Sequence, residues 1–147
     1  MSGRGGAESL ATPERGAVVI SASSYSKAHP PASAIQKDLS LFWMTTGNFP
    51  QEIVVQLSES CTVKSVEIVS TSVRSIELWG SDGYTHSAGE RIAKAEASEL
   101  DGELQRFTMP ISSKATATCL RLKILSGFND YVSIHRFNVT GSPAERK

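Results

Sequence analysis

The sequence predicts an all-β domain, an antiparallel β-sandwich of the jelly-roll kind. Short runs rich in Val, Ile and Thr recur along the chain with period-two alternation, and turn residues separate them every ~8–12 residues. The length, 147 residues, suits one domain that buries a core without metal or disulfide staples.

The elements follow in order. Residues 17–20, Ala-Val-Val-Ile, open the series. Pro30-Pro31 sets an extended or turn conformation, with one helical turn over 32–35. In 53–57, Ile53, Val55 and Leu57 share one face, and that face is core. Residues 62–70 bring Val66 and Ile68 together, and 73–79 bring Ile76 and Leu78 together. Residues 90–100 hold good helix formers with a mostly alanine apolar side, so they read as a surface loop or helical turn. Asp101-Gly102 is a strong turn signal before a strand at 103–109. In 115–125, Leu120, Leu122 and Ile124 point inward while Arg121 and Lys123 point out. Residues 133–140 make the last strand. The domain is expected to span 17–141, with flexible tails at 1–16 and 142–147. Thr12-Pro13 and Ser142-Pro143 in those tails are open to kinases.

Composition excludes several functions. Fifteen Lys and Arg balance fifteen Asp and Glu, a formal charge of zero. That removes the electrostatic footprint of a duplex binder and the polybasic signature of a membrane-surface protein. Residues 1–16 contain Arg4, Glu8, Glu14 and Arg15 and no apolar core of signal-peptide length. No window approaches the ~20 apolar residues of a membrane span. The expected setting is the cytoplasm or a space continuous with it. There, the glycosylation pattern at Asn138-Val139-Thr140 is idle. Cys61 and Cys119 read either as two reduced core thiols or as a bridge between core strands, which needs an oxidising compartment.

No constellation carries chemistry. His29, His86 and His135 are far apart in sequence and have no partner at metal-ligand spacing. There is no Gly-x-Ser-x-Gly elbow and no phosphate-cradling loop. Asp82, Asp101, Glu103 and Asp130 sit at turns, where carboxylates are solvated. The chain therefore reads as a non-enzyme that requires no cofactor.

The informative stretch is 29–57. It carries His29-Pro30-Pro31, Phe42-Trp43, Thr45-Thr46-Gly47 and Phe49-Pro50-Gln51-Glu52 before the first core strand. Trp43 is expected to plug the open end of the sandwich, with Phe42 or Phe49 pointing outward. Together with Ala22-Ser23-Ser24 ahead of it, this stretch resembles the discoidin, or coagulation-factor type C, family of galactose-binding-like jelly rolls. So do the Arg-containing strand Leu120-Arg121-Leu122-Lys123-Ile124 and the closing run ending at Gly141. The resemblance covers roughly residues 17–141. Within that superfamily, these motifs and the closing Ser133-Ile134-His135 look most like its intraflagellar transport branch.

That resemblance implies a non-catalytic subunit of intraflagellar transport complex B. It implies a stable heterodimer with a Rab-like small GTPase, intraflagellar transport protein 27, and contacts with other subunits of the complex. It places the chain in cilia or flagella, the basal body and the cytoplasm, with no nucleic acid partner and no membrane insertion. Relatives often hold calcium in the loop between the His-Pro and the Trp. Here the ligating positions fall on Ser33, on Gln36 with Lys37, and on Leu41, and Asp38 is the nearest substitute carboxylate. A hard cation wants carboxylate oxygen, so calcium binding is expected to be weak or absent. A partner surface is expected at Phe128 and Tyr131. The alternative function is a carbohydrate- or lipid-head-group-binding module using loop aromatics such as Phe49, Tyr84, Phe128 or Tyr131. A third reading, a chaperone, lacks the α-crystallin Gly-Val-Leu element and Ile-x-Ile/Val tail.

Overall fold

The computed structural model describes residues 9–82, 89–101 and 103–144, with the backbone alone at 112–114. Tyr84 and His86 lie outside the described residues. The strands are β1 (Val18–Ala22), β2 (Trp43–Met44), β3 (Gln51–Thr71), β4 (Val73–Ser81), β5 (Glu90–Glu96), β6 (Gln105–Gly127) and β7 (Ser133–Pro143). Every described pairing is antiparallel. Two short 3₁₀ turns, Pro13–Arg15 and Pro31–Ile35, complete the set.

Two strands are unusually long: β3 has 21 residues and β6 has 23. Each serves both walls of the sandwich. In the first wall, the start of β3 pairs with β1 on one side and with residues 119–124 of β6 on the other. Strand β4 follows β6 there, and β5 closes the edge. In the second wall, residues 61–71 of β3 lie between β7 and the first half of β6, and β2 joins β7. The register between β3 and β6 breaks between Gln56 and Cys61. Ser58-Glu59-Ser60 there offers neither wall an apolar side chain, and the chain crosses between walls. Pro110 falls in the first half of β6, opposite Ser65 and beside the register break between Val63 and Ser65, the kind of place where a strand tolerates proline.

The core forms where the walls face each other. Ile53, Val55, Leu120, Leu122, Ile124, Ile76 and Leu78 come from the first wall, and Val66, Ile68, Ile134 and Val139 from the second. All are fully buried in one cluster. Burying side chains of this size is worth ~1.5–3 kcal/mol each. These are the faces that the alternation predicts, and the architecture is the expected jelly-roll sandwich.

Three expectations need correction. Residues 90–96 form strand β5, neither loop nor helical turn. Its alanines are suited to an edge: Ala93 and Ala95 pair with Leu78 and Ile76 and pack on the core, while Lys94 points out. Tertiary pairing overrides helix propensity, and charges along the strand protect the edge. The runs 53–57 and 62–70 belong to one strand, as do 103–109 and 115–125.

The tails are shorter than 1–16 and 142–147. Leu10 and Ala11 are buried, and the Leu10 N–H donates to the Val139 carbonyl at 2.9 Å. Gly16, at φ +84°, then turns the chain from the 3₁₀ segment into β1. At the other end, β7 continues to Pro143 and the Ala144 N–H donates to the Ser60 carbonyl. Thr12 is buried and Ser142 is paired with Thr62, so neither sits in an open tail.

Candidate interaction surface

The loop from 23 to 50 is built by a small set of side chains. Ser23 Oγ accepts the Glu52 N–H at 2.9 Å, which ties the loop's start to the start of β3. Ser24 Oγ accepts the Thr46 and Gly47 N–H groups, each at 2.9 Å, and donates to Gln51 Oε1. Trp43 is fully buried, and its Nε1–H donates to the Ser24 carbonyl at 2.8 Å. The Ala-Ser-Ser and Phe-Trp motifs are therefore halves of one clamp, and Trp43 fills the interior as expected.

Phe42 is half-buried, not free. Its ring lies between those of His29 and His135, with centroids 3.9 and 4.5 Å away. Phe49 packs on the core, against Gly127, where an added Cβ would lie 2.9 Å from its ring. His135 Nδ1 is 2.8 Å from the Leu39 carbonyl, which only accepts, so Nδ1 carries the proton. Nε2 lies 3.0 Å from Ser133 Oγ, which is also 2.5 Å from Thr71 Oγ1. This geometry imitates a serine–histidine pair, a feature missed in the sequence because the two residues are merely alternate on a strand. Ser133 is buried and its hydroxyl is shared with Thr71, so it offers no nucleophile to a substrate.

The degenerate ion loop is present as a structure and unsuited to a divalent cation. Ser33 lies in the 3₁₀ turn, and its carbonyl accepts the Gln36 N–H. Asp38 Oδ1 accepts the Ser40 hydroxyl at 2.7 Å and the Ser40 N–H at 2.9 Å. Those two bonds, the hydroxyl's first, hold the Asp38 carboxyl below its usual range. Leu41 is exposed and aliphatic. Gln36 and Lys37 line a pocket of about 160 Å³ with Arg136 and Asn138, so cations border it. A hydroxyl, an amide, an aliphatic side chain and one carboxylate already serving Ser40 do not fit calcium. Among the described residues, no group of three His, Cys, Asp or Glu side chains is placed to hold a metal ion.

The turn after β6 presents Tyr131, 56% exposed, while Phe128 is half-buried with the Arg74 guanidinium 6.0 Å over its ring. Cys61 is in the core, whereas Cys119 is half-buried on the outer face, opposite Gln56. Both are free thiols. Burial pushes both thiols up from the usual value, with Glu59 adding to the effect at Cys61.

The outer face of the first wall was not singled out in the sequence. There Glu52, Lys123, Glu77 and Lys94 stand in one cross-strand row, and Val54, Arg121, Trp79 and Arg91 in the next. Glu52 pairs with Arg121, and with Lys123 at 3.7 Å. Glu77 accepts from Arg91 at 3.1 Å and from Trp79 Nε1 at 2.9 Å, and Lys123 Nζ lies 5.3 Å over the Trp79 ring. Beside this network β1 exposes Val18 and Ile20. The signal available in the sequence was the Val-Val-Ile run, in which Val18 and Ile20 must share a side opposite Val19.

Comparison with known proteins places these features in a family. The chain is 28% identical over 133 residues to the human intraflagellar transport protein 25 homolog, covering 90% of this chain and 92% of that one. It is 27% identical over 128 residues to intraflagellar transport protein 25 of Chlamydomonas reinhardtii, covering 87% and 67%. Among solved structures it superposes on a galactose-bound family 32 carbohydrate-binding module of C. perfringens NanJ. The TM-score is 0.74 at 20% identity, covering 90% and 97%. It also superposes on the C-terminal domain of a Bacteroides fragilis chitobiase, with a TM-score of 0.77 at 14% identity, covering 94% and 100%. These likenesses carry the galactose-binding-like jelly roll. Residues 24–143 match the Sad1/UNC-like C-terminal family; the chain belongs to that family, and its curated homologues are intraflagellar transport proteins 25.

Proposed function

We propose that the chain is a non-catalytic subunit of intraflagellar transport complex B, working in cilia or flagella as one half of a stable heterodimer with a Rab-like small GTPase, intraflagellar transport protein 27. The observation that carries this reading is the likeness to the intraflagellar transport 25 proteins, which runs from one end of the fold to the other. The chemistry agrees with it. The Ser133–His135 contact sets a buried serine against a half-buried histidine, and the loop that would hold calcium has the wrong donors. The subunit needs no cofactor, and it reaches the rest of the complex as part of the pair.

In the 29–50 loop the aromatic residues disfavour the carbohydrate-binding alternative, whereas Tyr131, also named for that role, keeps an exposed ring. A sugar-stacking platform needs a free ring face. Phe42 has a histidine on each face, Trp43 is buried and Phe49 packs on the core. The test is co-expression with the GTPase followed by size-exclusion chromatography. The reading predicts one peak holding both chains in equal amounts at micromolar concentration. Separate elution would refute it.

A further inference from the structure

The segment before β1 docks against β7, and together with the end of the second 3₁₀ turn it borders a pocket of about 160 Å³ on that strand. The apolar part of the lining is the buried pair Ile35 and Phe137. The polar part is short of partners. Thr12 lines the pocket, is only 7% exposed, and has no hydrogen-bond partner for its hydroxyl among the described residues. Asn138 donates from Nδ2 to Glu67 at 3.3 Å, while its Oδ1 is buried and unpartnered. Buried polar atoms are rarely left so. An unpaired hydroxyl beside an unpaired carbonyl oxygen suits a ligand that both accepts and donates. The charge is one-sided as well. Lys37 has no carboxylate partner among the described residues. Arg136 reaches Glu67 only at 3.8 Å and the Lys37 carbonyl at 3.4 Å, so its guanidinium keeps donors to spare. Two cations against one carboxylate leave one positive charge for an occupant to neutralise.

We propose that this pocket binds a small hydroxycarboxylate. The assignment goes beyond the function proposed above and is independent of it. A carboxylate matches the Arg136 fork and the Lys37 ammonium, and its single negative charge balances the surplus. The Thr12 hydroxyl donates to it. The ligand's own hydroxyl supplies the donor that Asn138 Oδ1 lacks. An ammonium in that place, as in an amino acid, would face two cations. A simple carboxylate brings no donor, and a dianionic phosphate ester brings none and overshoots the charge. The carbon body rests on Ile35 and Phe137. Size agrees: a cavity of about 150 Å³ takes benzene, so this one suits a ligand of about six non-hydrogen atoms, the size of lactate.

The experiment titrates the full chain with lactate at neutral pH and follows backbone amide shifts by NMR, with a thermal melt of each variant. Saturable shifts centred on Thr12, Lys37 and Asn138 are expected, with a dissociation constant of ~1 mM for so few atoms. Propionate, which lacks the hydroxyl, should bind at least about fivefold more weakly. Lactate should lose about as much on Thr12→Val, which keeps the side chain's shape. Lys37 is exposed, so Lys37→Ala should fold normally and keeps the test decisive if Thr12→Val melts early. It should weaken lactate about tenfold, and Lys37→Arg should bind near wild type. Propionate binding as tightly as lactate, or inorganic phosphate binding more tightly than either, would overturn the ligand class. Lactate shifts that are absent, fail to saturate, or persist unchanged in both Lys37→Ala and Thr12→Val would overturn the site.

Discussion

Leu122 and Leu125 lie three positions apart on β6 and differ in phase, so truncating each to alanine tests the sandwich most sharply. Leu122 is fully buried, paired with Ile53 on one side and Leu78 on the other, both also fully buried. Removing its isobutyl group leaves a cavity walled on two sides by ladder-fixed neighbours that have little room to collapse. The Leu→Ala range in such cores is ~2–5 kcal/mol, and a site enclosed on both sides belongs in its upper half, about 3–4 kcal/mol. Leu125 is 37% exposed, and Leu125→Ala should cost under about 1 kcal/mol. Urea unfolding followed by circular dichroism measures both. With an unchanged m-value the difference appears as a shift in midpoint. At roughly 3 °C per kcal/mol for a chain this size, Leu122→Ala should also melt about 10 °C lower. Equal losses at the two positions would refute the assigned strand phase, and with it the two-wall core.

Three further outcomes follow from side-chain geometry. Gln105 is buried and bonds Ser70 Oγ, the Val73 N–H and carbonyl and the Ser98 carbonyl. Gln105→Leu should cost about 1–3 kcal/mol in urea unfolding, because Val73's backbone groups lose their buried partner. The Trp79 N–H, with Arg91 and Lys123 behind it, holds the Glu77 carboxyl below its usual 4.5 despite partial burial. A lowered folded pKa means stability that is full above about 4.5 and lost as pH falls through the folded value. Trp79→Phe should therefore move the acid-unfolding midpoint to higher pH, and a midpoint unmoved by the change would discount the bond. Calorimetry with calcium should show no sub-micromolar binding, in keeping with Gln36, Leu41 and a carboxylate held by Ser40; tight binding that survives Asp38→Ala would contradict that loop chemistry.

The core was legible in the sequence because strand alternation is a local property. Ile53, Val55 and Leu57, or Leu120, Leu122 and Ile124, each declare a face within a few residues, and all are buried. Strand β5 was not legible, since an alanine face signals helix until β4 supplies the partner that makes it an edge. Docking of Leu10 and Ala11 was hidden for a similar reason: two apolar residues in a polar segment carry no period, and the acceptor of the Leu10 N–H is Val139, far along the chain. The loop motifs were visible as residues but not as a mechanism. Only the fold brings Ser24 to Trp43 and Thr46, or sets Phe42 between His29 and His135. The apolar corner at Val18 and Ile20 was visible as a strand without an assigned face, because an edge strand's outer side is decided by what it pairs with.

The most direct test of the account is the stoichiometry and salt response of the complex with intraflagellar transport protein 27, measured by size-exclusion chromatography with light scattering. The chain has no net charge, so contact rather than long-range steering should hold the pair. A single one-to-one species is expected at micromolar concentration, its elution unchanged between low and high salt. Two separate peaks at low salt would contradict the heterodimer, and dissociation at high salt alone would contradict its apolar interface.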